Sequence, residues 1–206
     1  MPSQVIRDAV LQALVVLAIL FLVFIFSRRK ITGFLKDVGL YQPSFRCVSI
    51  GLGFGILMGL TTFIHLQFSS LRHLIYISEN PAMRFYQMGF SVPAVFALLI
   101  HAGIAAGFSE ELLFRGFFAK RFIKWWGFRW GNIVQAVLFG LFHLLIFSLI
   151  GITLDIPVIL FLVFFPTLFG WFFGYLNEEL GNGSILPSWF SHGIGNSISY
   201  AIIAYL

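Results

Sequence analysis

Apolar residues run through this chain in blocks of about twenty, and most of its polar residues fall between the blocks. Six blocks, at about 9–26, 47–66, 92–108, 133–150, 156–176 and 185–205, are long enough, or nearly so, to cross ~30 Å of hydrocarbon. None shows the alternation of a membrane β-barrel strand. Backbone groups in lipid must be satisfied within their own segment, so each block is predicted to be a helix. The expected fold is all-α: a polytopic transmembrane bundle of about six spanning helices plus a short interfacial helix. The blocks consume most of 206 residues and leave room for one membrane domain, 1–206.

Composition strengthens that picture. The chain is 59% hydrophobic, holds 27 Phe, and is only 10% charged, which excludes an ordinary soluble domain. Arg7 precedes the first block as in a signal peptide, but Ser27-Arg28-Arg29-Lys30 follows it with no small-residue cleavage pattern. It reads as an uncleaved anchor. Cys47 is the single cysteine, so neither an internal disulfide nor a cysteine-based metal site is expected.

The net charge of +5 is no nucleic-acid signal, because the basic residues sit at helix ends. Arg28, Arg29, Lys30, Lys36 and Arg46 follow the first block; Arg115, Lys120, Arg121, Lys124 and Arg129 follow the third. Only Arg7, Arg72 and Arg84 lie on the other side. The positive-inside bias therefore puts both basic loops in the cytoplasm and both termini outside. The lipid bilayer is the expected surroundings of an integral multi-pass protein. Residues 116–130 are basic and aromatic, as in an interfacial helix and turn at the headgroups, with an aromatic belt fixing depth. Small residues at four-residue spacing (Gly51, Gly55 and Gly59; Gly103 and Gly107; Gly170 and Gly174) predict close helix packing within the bundle. Pro166 falls inside the fifth block and should kink it or open a cavity.

Against this background Glu110 and Glu111, two of only 8 acidic residues, follow an apolar run directly. A charge at bilayer depth costs about 2.5 kcal/mol or more, which makes it a functional candidate. Neighbouring helical residues point ~100° apart, so the two carboxylates face different surroundings. Glu111 and Arg115 are i,i+4 and can pair on one face. This makes Glu111 a structural counter-ion and leaves Glu110 reactive. His143 and His192 lie inside later blocks, and Asn196 is one turn beyond His192. Counted at ~1.5 Å per residue, all three sites fall in the cytoplasmic half of the bilayer. A Glu, two His and an amide fit water-activating hydrolysis: Glu110 with His143 polarising a water, His192 and Asn196 donating to the oxyanion. The same Glu110, His143 and His192 could bind zinc, although the spacing neither supports nor excludes it; the expectation is no cofactor.

Other polar residues read more plainly. Glu178-Glu179 belongs to a turn with Asn177 and Gly181. His65 and His73 are expected at the outer surface, His101 in interior hydrogen bonding, and Gln135 in support of the site. The residues alone leave two further functions open. One is a non-proteolytic immunity or scaffold protein that binds a peptide or membrane partner. The other is a proton-coupled transporter, ranked last because no repeat between halves is visible.

The ordered set Glu110-Glu111-x-x-x-Arg115, Phe139-x-x-x-His143 and His192-x-x-x-Asn196, on successive helices, resembles the CAAX-protease and bacteriocin-processing (CPBP, Abi) intramembrane protease family. That family includes the Ras-converting CAAX endopeptidase. The resemblance covers about 92–206 and leaves 1–91 as two accessory helices and an outer loop. It implies a glutamate-type intramembrane endopeptidase, with Glu110 as base, His143 as its partner, His192 and Asn196 at the oxyanion, and Glu111, Arg115 and Phe139 in support. It implies a peptide or membrane-protein substrate and an active site opening to the cytoplasm and membrane. The short length resembles prokaryotic members of a cell membrane, where peptide processing and bacteriocin self-immunity are implied. The sequence sets no oligomeric state.

Overall fold

The computed structural model describes residues 1–28, 31–67, 72, 80–149 and 154–206. The all-α expectation holds, and the described residues contain no strand. Four continuous stretches are long and apolar enough to cross a membrane: Pro2–Arg28, Phe45–Gln67, Val92–Leu149 and Ile156–Leu180. The protein is an integral membrane helix bundle.

Helix α1 spans Pro2–Arg28 and α2 is the short Phe34–Asp37. Ser44 caps α3, Phe45–Leu60, by accepting from the Cys47 amide, as an N-cap hydroxyl should. Helix α4 is Thr62–Gln67. Asn80 caps α5, Pro81–Met88, with Pro81 in the first turn, where its missing N–H leaves no bond unmade. Ser91 then caps α6, Val92–Ile100.

Beyond α6 the helix widens. A π-helical stretch covers His101–Phe108, α7 is the single turn Ser109–Glu111, and a second π-helical stretch covers Leu112–Ala119. Such turns are rare and gather at functional sites; these flank the two carboxylates. Helix α8 covers Lys120–Leu149. The 58 residues of Val92–Leu149 would measure about 87 Å if straight, nearly three bilayer cores. Gly127 ends the run with φ 74 and ψ 168, values that favour glycine. The chain doubles back so tightly that a side chain at Gly131 would collide with the backbone of Phe122 and Ile123. One stretch thus makes two legs. Trp125, Trp126 and Trp130 stand exposed around this turn, where an aromatic belt belongs.

Helix α9 is Ile156–Tyr175, capped by Asp155 and continued by a π-helical turn, Leu176–Leu180. The sixth apolar block is α10, Leu186–Tyr205. At 20 residues it can span, but its serines, His192 and Asn196 make it too polar to face lipid, and it is the packed centre of the bundle. The glycine stripes put it there. A Cβ on Gly51 would stand 2.7 Å from the Pro187 carbonyl oxygen, and one on Gly59 2.6 Å from Ile198 Cβ. On the opposite side Gly193 meets Gly103 and Gly107. Bare backbones therefore clamp α10 from both sides, as the spacing predicted.

The basic ends of the helices are stitched together. Asp37 binds Arg28 at 3.1 Å and Arg121 at 2.9 Å. Lys120 Nζ binds Glu178 at 3.1 Å and donates to the Gly183 carbonyl at 2.6 Å. Ser184 Oγ donates to the Tyr41 carbonyl, and the Tyr41 hydroxyl donates to that of Asn182 at 2.6 Å. Burial, with the Glu178 carboxylate nearby, pushes the Tyr41 hydroxyl above its ordinary pKa.

Candidate active site

The two carboxylates have different fates. Glu111 is fully buried and saturated. Its Oε1 accepts from Arg115 Nη1 at 2.9 Å and from His192 Nδ1 at 3.0 Å; its Oε2 accepts from Ser188 Oγ at 2.5 Å. Arg115 is also buried, with its guanidinium carbon 4.2 Å from the Phe139 ring centre and 5.2 Å from that of Phe173. The i,i+4 pair read from the sequence is present in the π-wound segment. The rings give Arg115 a cation–π sandwich in place of further acceptors. Phe139 thus gains a concrete role as the lower plate under Arg115.

Glu110 turns the other way. Its Oε2 has no hydrogen-bond partner among the described residues and stands 3.9 Å from His192 Nε2. That gap is too long for a direct bond. Because a carboxylate only accepts, the contact at Glu111 makes His192 Nδ1 the protonated nitrogen. Nε2 is therefore the nitrogen that faces Glu110. His143 Nδ1 lies 2.8 Å from the Phe139 carbonyl. It must donate there, leaving Nε2 as the acceptor.

Glu110, His143, His192 and Asn196 all line one cavity of about 450 Å³, a size proper to a small-molecule or peptide site. A smaller adjoining space of about 150 Å³ shares His143, His192 and Asn196. The remaining wall is mostly apolar, with Phe161, Leu162, Phe165 and Phe169 prominent, and Pro166 lies in it as the kink expectation proposed.

Besides Glu110 and His192, the cavity is lined by Thr62, Phe147, Phe161 and Ile203. Below the cluster, at the basic end, Ser184, Ser188 and Asn177 are fully buried and bonded.

His65 is half-buried and lines the cavity, its ring 4.2 Å from that of Phe161, with Nε2 buried and unpartnered among the described residues. Helix α4 continues α3 after Thr61 and carries His65 over the cavity. His101 packs its ring near those of Phe85 and Tyr200, each 5.9 Å away. Gln135 is buried away from the cavity and bonds Asn132 Oδ1 at 2.7 Å and the Gly170 carbonyl at 2.9 Å. It braces α8 against α9 behind Arg115. His73 lies outside the described residues. Glu178 forms an ion pair with Lys120 in a π-helical turn, away from the cavity.

Sequence reading missed Ser188 and Asn177. Asn177 Nδ2 donates to Ser188 Oγ at 2.7 Å, and Ser188 N donates to Asn177 Oδ1 at 3.2 Å. Ser188 had a signal, since Ser188, His192 and Asn196 recur every fourth residue on one face of α10. Asn177 had none, being camouflaged among turn-forming residues. No three His, Cys, Asp or Glu side chains among the described residues are grouped so as to hold a metal ion. His192 Nδ1 is committed to Glu111, which leaves its Nε2 to face the cavity.

Comparison with curated proteins and with solved structures gave no match. A family model described as Rce1-like, type II CAAX prenyl endopeptidase Rce1-like, matches residues 92–198, more than half of the chain. The matched segment holds all the residues converging here, from Glu110 to Asn196. The chain belongs to the Rce1-like family of type II CAAX prenyl endopeptidases, a family of proteases.

Proposed function

We propose that this protein is a glutamate-type intramembrane endopeptidase that cleaves a membrane-associated polypeptide. The observation that carries this reading is the contrast at Glu110. Its Oε2 is unpaired beside His192 Nε2 in a cavity shared with His143 and Asn196, while its neighbour Glu111 is saturated.

The step is ordinary addition–elimination. A water bound between Glu110 and His143 gives its proton to the Glu110 carboxylate as its oxygen attacks the scissile carbonyl carbon. The carbonyl oxygen becomes an oxyanion and accepts from the Asn196 amide and from Nε2–H of protonated His192. Collapse breaks the C–N bond, and Glu110 returns its proton to the leaving amine. No part of this step needs a metal. Glu111 and Arg115 supply a fixed base for His192.

The positive-inside bias puts the basic loops in the cytoplasm. The reacting groups then lie in the cytoplasmic half, and the apolar arm of the cavity leads toward the opposite leaflet. Such a wall suits a hydrophobic polypeptide segment, lipidated or not, entering from the bilayer.

Comparative membrane proteomics of cells carrying the wild type or Glu110→Gln tests the reading. The substitution keeps shape and removes the base. New termini present with the wild type and lost with Glu110→Gln are the expected result. Full biological function in a correctly inserted Glu110→Gln protein would favour a non-catalytic immunity or scaffold role and overturn the proposal.

A further inference from the structure

Ser188 and Asn177 belong to none of the motifs, yet both are fully buried directly beneath the reacting groups. Their hydrogen bonds have a definite polarity. A serine hydroxyl has one proton to give. Ser188 Oγ faces two acceptors, Glu111 Oε2 at 2.5 Å and the Ile185 carbonyl at 3.1 Å. It also faces one donor, Asn177 Nδ2 at 2.7 Å. The amide fills an oxygen lone pair and leaves the proton for an acceptor; the shorter contact is to the carboxylate. Asn177 is itself held, because its Oδ1 accepts from Ser188 N at 3.2 Å. The two residues grip each other twice, and the amide cannot flip without losing both contacts.

The chain of polarity continues. Ser188 occupies Glu111 Oε2, so Oε1 remains for Arg115 Nη1 and His192 Nδ1. Three donors pin the carboxylate in position and rotation, and the imidazole is pinned by it in turn. We infer that Asn177 and Ser188 are positioning residues that hold the His192 Nδ1–H on Glu111 and so fix the aim of Nε2. Neither lines the cavity, so neither acts on substrate directly. A carboxylate whose second oxygen loses its donor can rotate. It then shares its two oxygens between Arg115 and the imidazole, and the aim of Nε2 at the cavity is lost.

This inference rests on the proteolytic reading only for its kinetic readout, so the principal measurement is independent of activity. The full-length protein is ¹⁵N-labelled at histidine and reconstituted in lipid nanodiscs. The ring signals of His192 are assigned by their loss in His192→Gln. The wild type should show a protonated Nδ1 in strong hydrogen-bonded contact. Ser188→Ala and Asn177→Leu should each give a mixture of ring-proton states or a displaced Nδ1 signal. Ser188→Thr, which keeps the hydroxyl, should restore the wild-type spectrum.

Once a cleaved peptide is in hand, the first two variants should lower kcat about 10- to 100-fold, the range seen when outer partners of a functional histidine are removed. KM should stay within about twofold. Either of two results overturns the inference: an unchanged His192 spectrum in both variants, or a wild-type His192 protonated at Nε2 alone. Loss of thermal stability with an unchanged spectrum assigns the pair a purely structural role and also overturns it. If the wild type cleaves nothing, the proposed function falls, but the spectra still decide the positioning.

Discussion

The two ends of this bundle differ in how they treat polar groups. At the basic end Asp37, Tyr41, Lys120, Asn177, Glu178, Ser184 and Ser188 are all paired, and Glu111 caps that layer with Arg115, whose Nε and Nη2 lack hydrogen-bond partners among the described residues and whose guanidinium lies between the Phe139 and Phe173 rings. In the cavity half Glu110 Oε2 and His65 Nε2 are buried without partners among the described residues, facing about 450 Å³ of space. An unpaired polar group costs about 1–3 kcal/mol. Local strain and unsatisfied groups of this kind survive where the surroundings over-determine them. The stitched end provides that rigidity. The difference runs between adjacent residues: Glu110 and Glu111 share a helical turn, yet Glu111 is held by three partners while Glu110 lines the cavity, where the proposed function gives it the chemistry.

That comparison can be broken from the scaffold side. Arg115→Ala takes the guanidinium from buried Glu111, leaving it only Ser188 and His192, and should cost about 3–5 kcal/mol of stability, with cleavage lost as well. Unfolding in detergent measures it, and a wild-type transition would remove Glu111 from the scaffold. From the other side, Glu110→Gln and His143→Ala should each lower cleavage about 10²- to 10⁴-fold while leaving the unfolding transition in place. Loss of the fold with either would erase the division between the two ends.

Two smaller effects sharpen it. Gly55→Val would drive a side chain into the Ser191 carbonyl and Ile194 of α10. Overpacking of this kind costs about 1–3 kcal/mol, read by the same unfolding experiment, with activity falling in proportion because His192 is one residue from Ser191. The smallest change is expected of Lys120→Ala. It removes a partly exposed ion pair and should cost about 1 kcal/mol or less. A loss several times larger would mean that the basic end is held by one bond rather than by many.

Much of this was legible in the sequence because it depends on local spacing. Block length gave the spans, i,i+4 spacing gave Glu111 with Arg115, and four-residue glycine steps gave the clamp on α10. The aromatic, basic segment 116–130 marked the turn at Gly127. What was not legible depends on contacts distant in the chain. Asn177 reaches Ser188 across a π-helical turn and five intervening loop residues, and its neighbours Glu178, Gly181 and Gly183 disguise it. His65 reads as a helix end until Phe161 of α9 closes over it.

Pro166 carries a consequence for whatever enters the chamber. Having no N–H, it deprives the carbonyl of Leu162, one turn earlier, of its usual intrahelical donor. Both residues border the cavity. The stretch of α9 that borders the cavity is thereby one main-chain bond short, and so easier to bend than the rest of that helix.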